Sequence, residues 1–214
     1  MSNEETLRLK VEEAIGFLAG QFYITEEQLK TFRKPSYNVA EEILLGVEGE
    51  KSGPLVGKYS FKEARFTLPT RSLEDSKTIG HEASHYIHYE LNKELVDKVC
   101  NTRTPNRLYW WGWELIELVA EYGGLLYGQH KGVEYKQFSE GMISDDIPGM
   151  NAQLYLIVSQ RGYERADQAI KKHGNSLLPR LARMTIEESE KLGRILPITF
   201  YERKIIPLID RMRR

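Results

Sequence analysis

Cysteine is nearly absent from this 214-residue chain, with Cys100 standing alone. That excludes an intrachain disulfide framework and any zinc site built on several thiolates. Long apolar runs are missing as well: no stretch approaches the roughly 18 apolar residues of a membrane span. Met1 to Lys10 is polar and acidic, without the apolar core of a signal peptide. The expectation is a soluble, cytoplasmic protein with no membrane partner. Net charge is scarce too, at a formal -1, so the chain as a whole has no field that would draw nucleic acid or an anionic surface. The charge is unevenly spread, however. Residues 161–214 carry a net +6 (13 Lys and Arg against 7 Asp and Glu), and residues 1–160 a net -7 (17 against 24). Arg180, Arg183, Arg211, Arg213 and Arg214 are not interleaved with an aromatic stacking platform. Basic helix ends at an intramolecular or subunit contact are therefore expected before a nucleic-acid surface.

Repeats, low-complexity tracts and linkers are likewise lacking. The balance of 41 % hydrophobic and 29 % charged residues is that of a chain that folds alone. A single domain over 1–214 is expected, with a core at about 42–128 and a helical extension at about 151–214. Leu7, Val11, Ala14, Ile15 and Leu18 recur at helical steps and predict an amphipathic helix ending near Gly20. Thr25 is placed to cap a second, short one. From Glu42 to Leu68 the texture changes to short apolar runs punctuated by Ser52-Gly53-Pro54 and closed by Pro69, which predicts three short strands of one small sheet. Ser72-Leu73-Glu74-Asp75 has the form of a capping box, and the helix it opens runs without a breaker from about Lys77 to Val99. Another helix is expected from about Leu108 to Leu126. The remainder, from about Asn151, is helical in pattern.

Chemistry concentrates in His81-Glu82-Ala83-Ser84-His85, an H-E-x-x-H pattern. Two histidines at i and i+4 project from one helix face about one turn apart, so both imidazoles can reach one zinc ion at about 2.0–2.1 Å. Glu82, rotated by about 100° from His81, is placed to hold a zinc-bound water and take its proton. Zinc lowers the pKa of such a water to about 7.

A catalytic zinc needs a third protein ligand. His88 shares the helix face but sits roughly 10 Å along the axis from His81, and no glycine follows His85 to bend the chain back. That argues against the metzincin arrangement, where a third His follows a Gly turn. The remaining candidates are Glu114, Glu117 and Glu121, at i, i+3 and i+7 on the next long helix. Three stacked carboxylates flanked by Trp110, Trp111, Trp113, Leu118 and Val119 would repel one another if buried without a cation.

The stretch Glu117-Leu118-Val119-Ala120-Glu121-Tyr122 resembles the glutamate helix of gluzincin metallopeptidases, in which the Glu opening an E-x-x-A-[DE] pattern is the third zinc ligand. The resemblance implies Glu117 as that ligand. It also implies Glu121 as the acidic residue that hydrogen-bonds a zinc-binding histidine and fixes its tautomer. From Gly57 through Glu121, about a third of the chain, the succession of a strand, an edge strand at Arg65–Leu68, the motif helix and the glutamate helix is similar to the minimal soluble gluzincin core. Fold and function follow as expectations. The fold is α+β, with a small, mostly antiparallel sheet packed on the motif and glutamate helices and a helical C-terminal half. The function is zinc-dependent hydrolysis of a peptide or protein substrate laid along Phe66, Thr67 and Leu68, with Glu82 as general base. Where aminopeptidase-type gluzincins carry Tyr-x-Lys-Gly, this chain reads Ser159-Gln160-Arg161-Gly162. Tyr155, one helical turn earlier, is the candidate oxyanion donor, with Tyr127, His130 and Tyr163 as alternatives. A zinc-stabilised binding or regulatory module is the competing expectation. Glu82 favours the enzyme, because a purely structural site has no use for a carboxylate beside its first ligand.

Overall fold

The computed structural model describes residues 2–41, 43–44, 54–55, 57–101, 107–133, 171 and 177–188; for 43–44, 54–55, 107–111 and 114 it describes the backbone alone. Helix α1 spans Asn3–Gln21. The Ser2 hydroxyl accepts from Glu5 N–H at its start, and the expected stripe of Leu7, Val11, Ala14, Ile15 and Leu18 is buried. Its C-terminus closes as a Schellman motif: Tyr23 N–H donates to Gly20 O and Ile24 N–H to Ala19 O. Tyr23 stands at φ 55°, in the left-handed position that glycine usually fills there. Helix α2 (Glu26–Lys30) begins with a reciprocal capping box between Thr25 and Gln28.

Among the described residues five strands follow: β1 (Ser36–Ala40), β2 (Ile43–Leu44), β3 (Pro54–Leu55), β4 (Lys58–Ser60) and β5 (Arg65–Pro69). The α+β expectation stands, but the sheet is mixed and differently ordered. The order is β1-β5-β4, with β1 parallel to β5 (Ser36↔Arg65 to Ala40↔Pro69) and β4 antiparallel to it (Lys58↔Thr67 to Ser60↔Arg65). Strands β2 and β3 form a separate antiparallel pair, so the expected single sheet divides in two. Strand β1 had no clear signal, since Tyr37 and Val39 alternate over only five residues. Its partner lies 29 positions further on, beyond what local periodicity reports.

Helix α3 (Ser76–Leu91) is buried from Thr78 to Tyr89. Asp75 caps it, accepting from Lys77 and Thr78 N–H, while Ser72 belongs to a 3-10 turn at Thr70–Ser72. The expected Ser72 capping box is thus displaced by one turn. The run to Val99 is also broken, at Asn92 (φ -145°, ψ 56°), beyond which α4 spans Lys93–Cys100. There the Asn92 side chain donates to Met184 O at 2.7 Å, a partner 92 residues away that holds the bend in place. Helix α5 runs Arg107–His130, and α6 (Leu177–Ala182) packs against it. Most of the expected C-terminal helical region lies outside the described residues. Within it, Arg183 donates to Phe22 O at the end of α1, 2.7 Å away, where carbonyls left over by a helix terminus favour a cation. Among the described residues no helix is long and apolar enough to cross a membrane.

The α3–α5 contact sets the position of the site. Glycines at 123, 124 and 128 do not end the second helix, as breakers would. They let it approach α3: a Cβ on Gly124 would lie 2.9 Å from Lys77 O, and one on Gly80 would lie 2.7 Å from Tyr127 Cβ.

Candidate metal centre

Because α3 and α5 run this close, one turn of each faces the other across a small polar gap in an apolar core. His81 and His85 project from α3 with their Nε2 atoms 3.0 Å apart. Glu117 reaches over from α5, with Oε2 at 3.5 Å from His81 Nε2 and Oε1 at 3.7 Å from His85 Nε2. One ligand atom from each of the three lies within 4.8 Å of the others. A four-coordinate ion with bonds of 2.0–2.1 Å holds its ligand atoms about 3.3 Å apart, so the cluster has the dimensions of one metal ion. Two imidazole nitrogens and a carboxylate oxygen are also a donor set that suits a borderline-soft divalent ion such as zinc.

The surrounding groups fit the same purpose. Glu121, one turn beyond Glu117 and 1 % exposed, places Oε1 at 3.5 Å from His81 Nδ1. A carboxylate there holds the proton on Nδ1 and leaves the Nε2 lone pair for a ligand bond. Glu82 lies outside the three-residue cluster. It is buried beside His81, where the Tyr59 backbone on β4 favours its charged form against the effect of burial. Gly57 covers it, and a Cβ at that position would lie 3.0 Å from Glu82 Oε1.

Electrostatics explains why such a set would favour a cation. Burial by itself lowers the His81 imidazole, but Glu121, Glu82 and Glu117 outweigh it and push the group up to about 10. Burial lifts Glu117 to about 7, with Glu121 and Glu82 adding to the shift and His81 opposing it. Glu82 is also raised, chiefly by burial. His85 is held well below its ordinary value by burial, then by His81 and His88. For Glu82 and Glu117, burial disfavours the charged form, and neighbouring acidic side chains add to the effect. A divalent ion supplies the positive charge that otherwise has to come from bound protons.

Comparison with protein-family models, with curated proteins and with solved structures finds no match for this chain. The functional reading therefore rests on the geometry of the site.

Several expected residues fall elsewhere. His88 is outside the cluster, wholly buried, with neither ring nitrogen hydrogen-bonded among the described residues, and burial lowers it to about 4. Tyr127 packs on Phe17, with ring centroids 5.8 Å apart, and His130 stacks on Phe17 at 4.2 Å. Both therefore serve the contact with α1. Tyr155 and Tyr163 lie outside the described residues, as does the side chain of Glu114. The substrate strand needs correction. Phe66, Thr67 and Leu68 belong to β5, the central strand, which is paired on both sides, and Phe66 and Leu68 are fully buried in the core. A paired strand has no free donors or acceptors for a peptide. Among the described residues the edge of this sheet on the other side from β1 belongs to β4. Arg33, Phe61 and Glu90, which brace the site from outside, had no motif to announce them.

Proposed function

We propose that this chain is a zinc-dependent peptidase of the gluzincin type, in which His81, His85 and Glu117 hold the metal. The observation that carries this reading is the convergence of two imidazole Nε2 atoms and the Glu117 carboxylate at ligand-to-ligand distances, with a further buried carboxylate, Glu82, beside them. Zinc, when bound, supplies Lewis acidity that acidifies water and polarises a carbonyl. Glu82 is the proton carrier: one of its oxygens takes the proton of the attacking water and returns it to the leaving amine. Its burial and raised proton affinity suit a group that must both accept and release a proton. Glu121 orients His81. An extended peptide would lie along the outer edge of β4, unpaired among the described residues, which brings its backbone past Glu82.

A second reading, a metal-stabilised module without catalysis, draws on two observations. The Tyr127 and His130 rings pack on Phe17 of α1, and Glu82 is buried close under Gly57. Glu82→Gln separates the two readings, since it removes the base and keeps all three ligands. Metal content and fold should be unchanged while hydrolysis of a peptide library falls by about a hundredfold or more. A wild-type protein that binds zinc yet cleaves no peptide in that library would favour the module.

A further inference from the structure

The two histidines are not supported alike. His81 has Glu121 at its Nδ1, whereas His85 Nδ1 is buried with no hydrogen-bond partner among the described residues. An imidazole ligand needs its ring plane fixed if its lone pair is to aim at a metal, and a hydrogen bond at the other nitrogen usually provides this. At His85 the available restraint is aromatic. The Phe61 ring meets the His85 ring in a T-shaped contact with centroids 5.7 Å apart and planes at 82°, an arrangement that ring quadrupoles favour.

We propose that Phe61 is the positioning residue for His85, its clamped ring setting the imidazole plane where no hydrogen bond from the described residues does. This rests on the reading of His81, His85 and Glu117 as a metal site.

Phe61 is itself held on several sides. Its ring packs on Tyr59 at 5.4 Å and on Tyr89 at 5.5 Å, and its carbonyl accepts from Arg33 Nη2 at 2.9 Å. Arg33 is fixed in turn: Nε donates to Glu90 Oε1 at 2.7 Å, the guanidinium lies over the Tyr89 ring at 4.6 Å, and Arg33 O accepts from the Tyr86 hydroxyl. Glu90 stands on α3, the helix that also carries His85. The brace thus leaves α3 at Glu90, passes through Arg33 and Phe61, and returns to α3 at His85. Phe61 enters from the turn between β4 and β5, where Ala64 adopts a left-handed φ of 48°. A buried non-glycine residue in that conformation persists only where the surroundings over-determine the backbone.

The test uses the full chain, freed of metal and titrated with cobalt(II) against a chelator, reading both affinity and the visible ligand-field spectrum. Phe61→Leu removes the ring and keeps most of the apolar volume. It should weaken cobalt binding by about 10-fold and shift the visible bands, while Phe61→Tyr, which restores a ring, should return both toward wild type. Arg33→Gln, which frees the Phe61 carbonyl without touching ring or ligands, should move both readouts the same way by a smaller factor. It keeps the test open if Phe61→Leu fails to fold. Tyr37→Leu is the control for a purely structural loss. That ring stacks on Phe66 at 5.8 Å, so the variant should lower the melting temperature and leave the cobalt spectrum alone. Wild-type affinity and spectrum in Phe61→Leu, or in Arg33→Gln if Phe61→Leu does not fold, would overturn the proposal while leaving the metal site standing. A wild-type chain that binds no cobalt would overturn both.

Discussion

Replacing Gly124 by alanine puts a methyl group into the tightest part of the α3–α5 contact. The new Cβ would lie 2.9 Å from Lys77 O, 3.2 Å from His81 N and 3.3 Å from His81 Cβ. None of these is the free end of a flexible side chain, so relief requires the two helices to part by about a few tenths of an ångström. Overpacking of this kind costs about 1–3 kcal/mol, against which the better helix propensity of alanine returns about 1 kcal/mol. The net expectation is a loss of up to about 2 kcal/mol, or a fall of up to about 8 °C in melting temperature for a chain of this length. The helices should also part where His81 faces Glu117 and Glu121, each now 3.5 Å away. Metal affinity should therefore drop by about 10-fold. Gly16→Ala is the matched control: on α1 nothing lies within 4 Å of the point its new Cβ would occupy, so the same substitution should stabilise by about 0.5–1 kcal/mol. Thermal and urea unfolding of metal-free protein, followed by metal titration, give both quantities. If Gly124→Ala is as stable as Gly16→Ala and binds metal like wild type, the close approach of the helices does not set the site.

Tyr23→Gly places glycine at the left-handed position that ends α1. It should raise stability by about 1 kcal/mol, measured by urea unfolding; a loss would mean that the exposed Tyr23 ring contributes more than its backbone costs. At Glu90, burial raises the carboxyl, but hydrogen bonds from Arg33 and the ammonium of Lys93 outweigh it and hold the group below its ordinary value. A group whose folded value is depressed contributes stability above its unfolded value and loses it as pH falls through the folded one. Glu90→Gln should therefore be less stable than wild type at pH 7, and the gap should close below about pH 4. A gap independent of pH, followed by calorimetry, would show that the Arg33–Glu90 pair is not ionic.

The parts legible in the sequence were those written in short-range spacing. The α1 stripe, the Thr25 cap and the i, i+4 pair at His81 and His85 each depend on residues within a turn or two, and each has its structural counterpart. Glu117 came from the E-x-x-A-E resemblance, and the structure brings it within reach of both histidines. What escaped was set by distant parts of the chain. Strand order in the sheet, and with it the misplacement of a substrate strand on β5, depends on β1 pairing from 29 residues earlier. The break at Asn92 depends on a carbonyl at Met184, and no glycine or proline marks it. Phe61 and Arg33 reach His85 only through tertiary contacts, so no local pattern could single them out. Glycines 123, 124 and 128 were visible but ambiguous, since a helix breaker and a close-packing surface use the same residue.

The central claim is that His81, His85 and Glu117 together hold one metal ion, and zinc content of the purified chain tests it most directly. Wild type should contain about one zinc per chain, and His81→Ala and Glu117→Ala should contain almost none, because two remaining ligands bind zinc poorly. Glu121→Ala should retain zinc with affinity reduced by about 10 to 100-fold, and Glu114→Ala should stay close to wild type. Stoichiometric zinc in both His81→Ala and Glu117→Ala, or a zinc-free Glu114→Ala beside a loaded Glu117→Ala, would contradict the account.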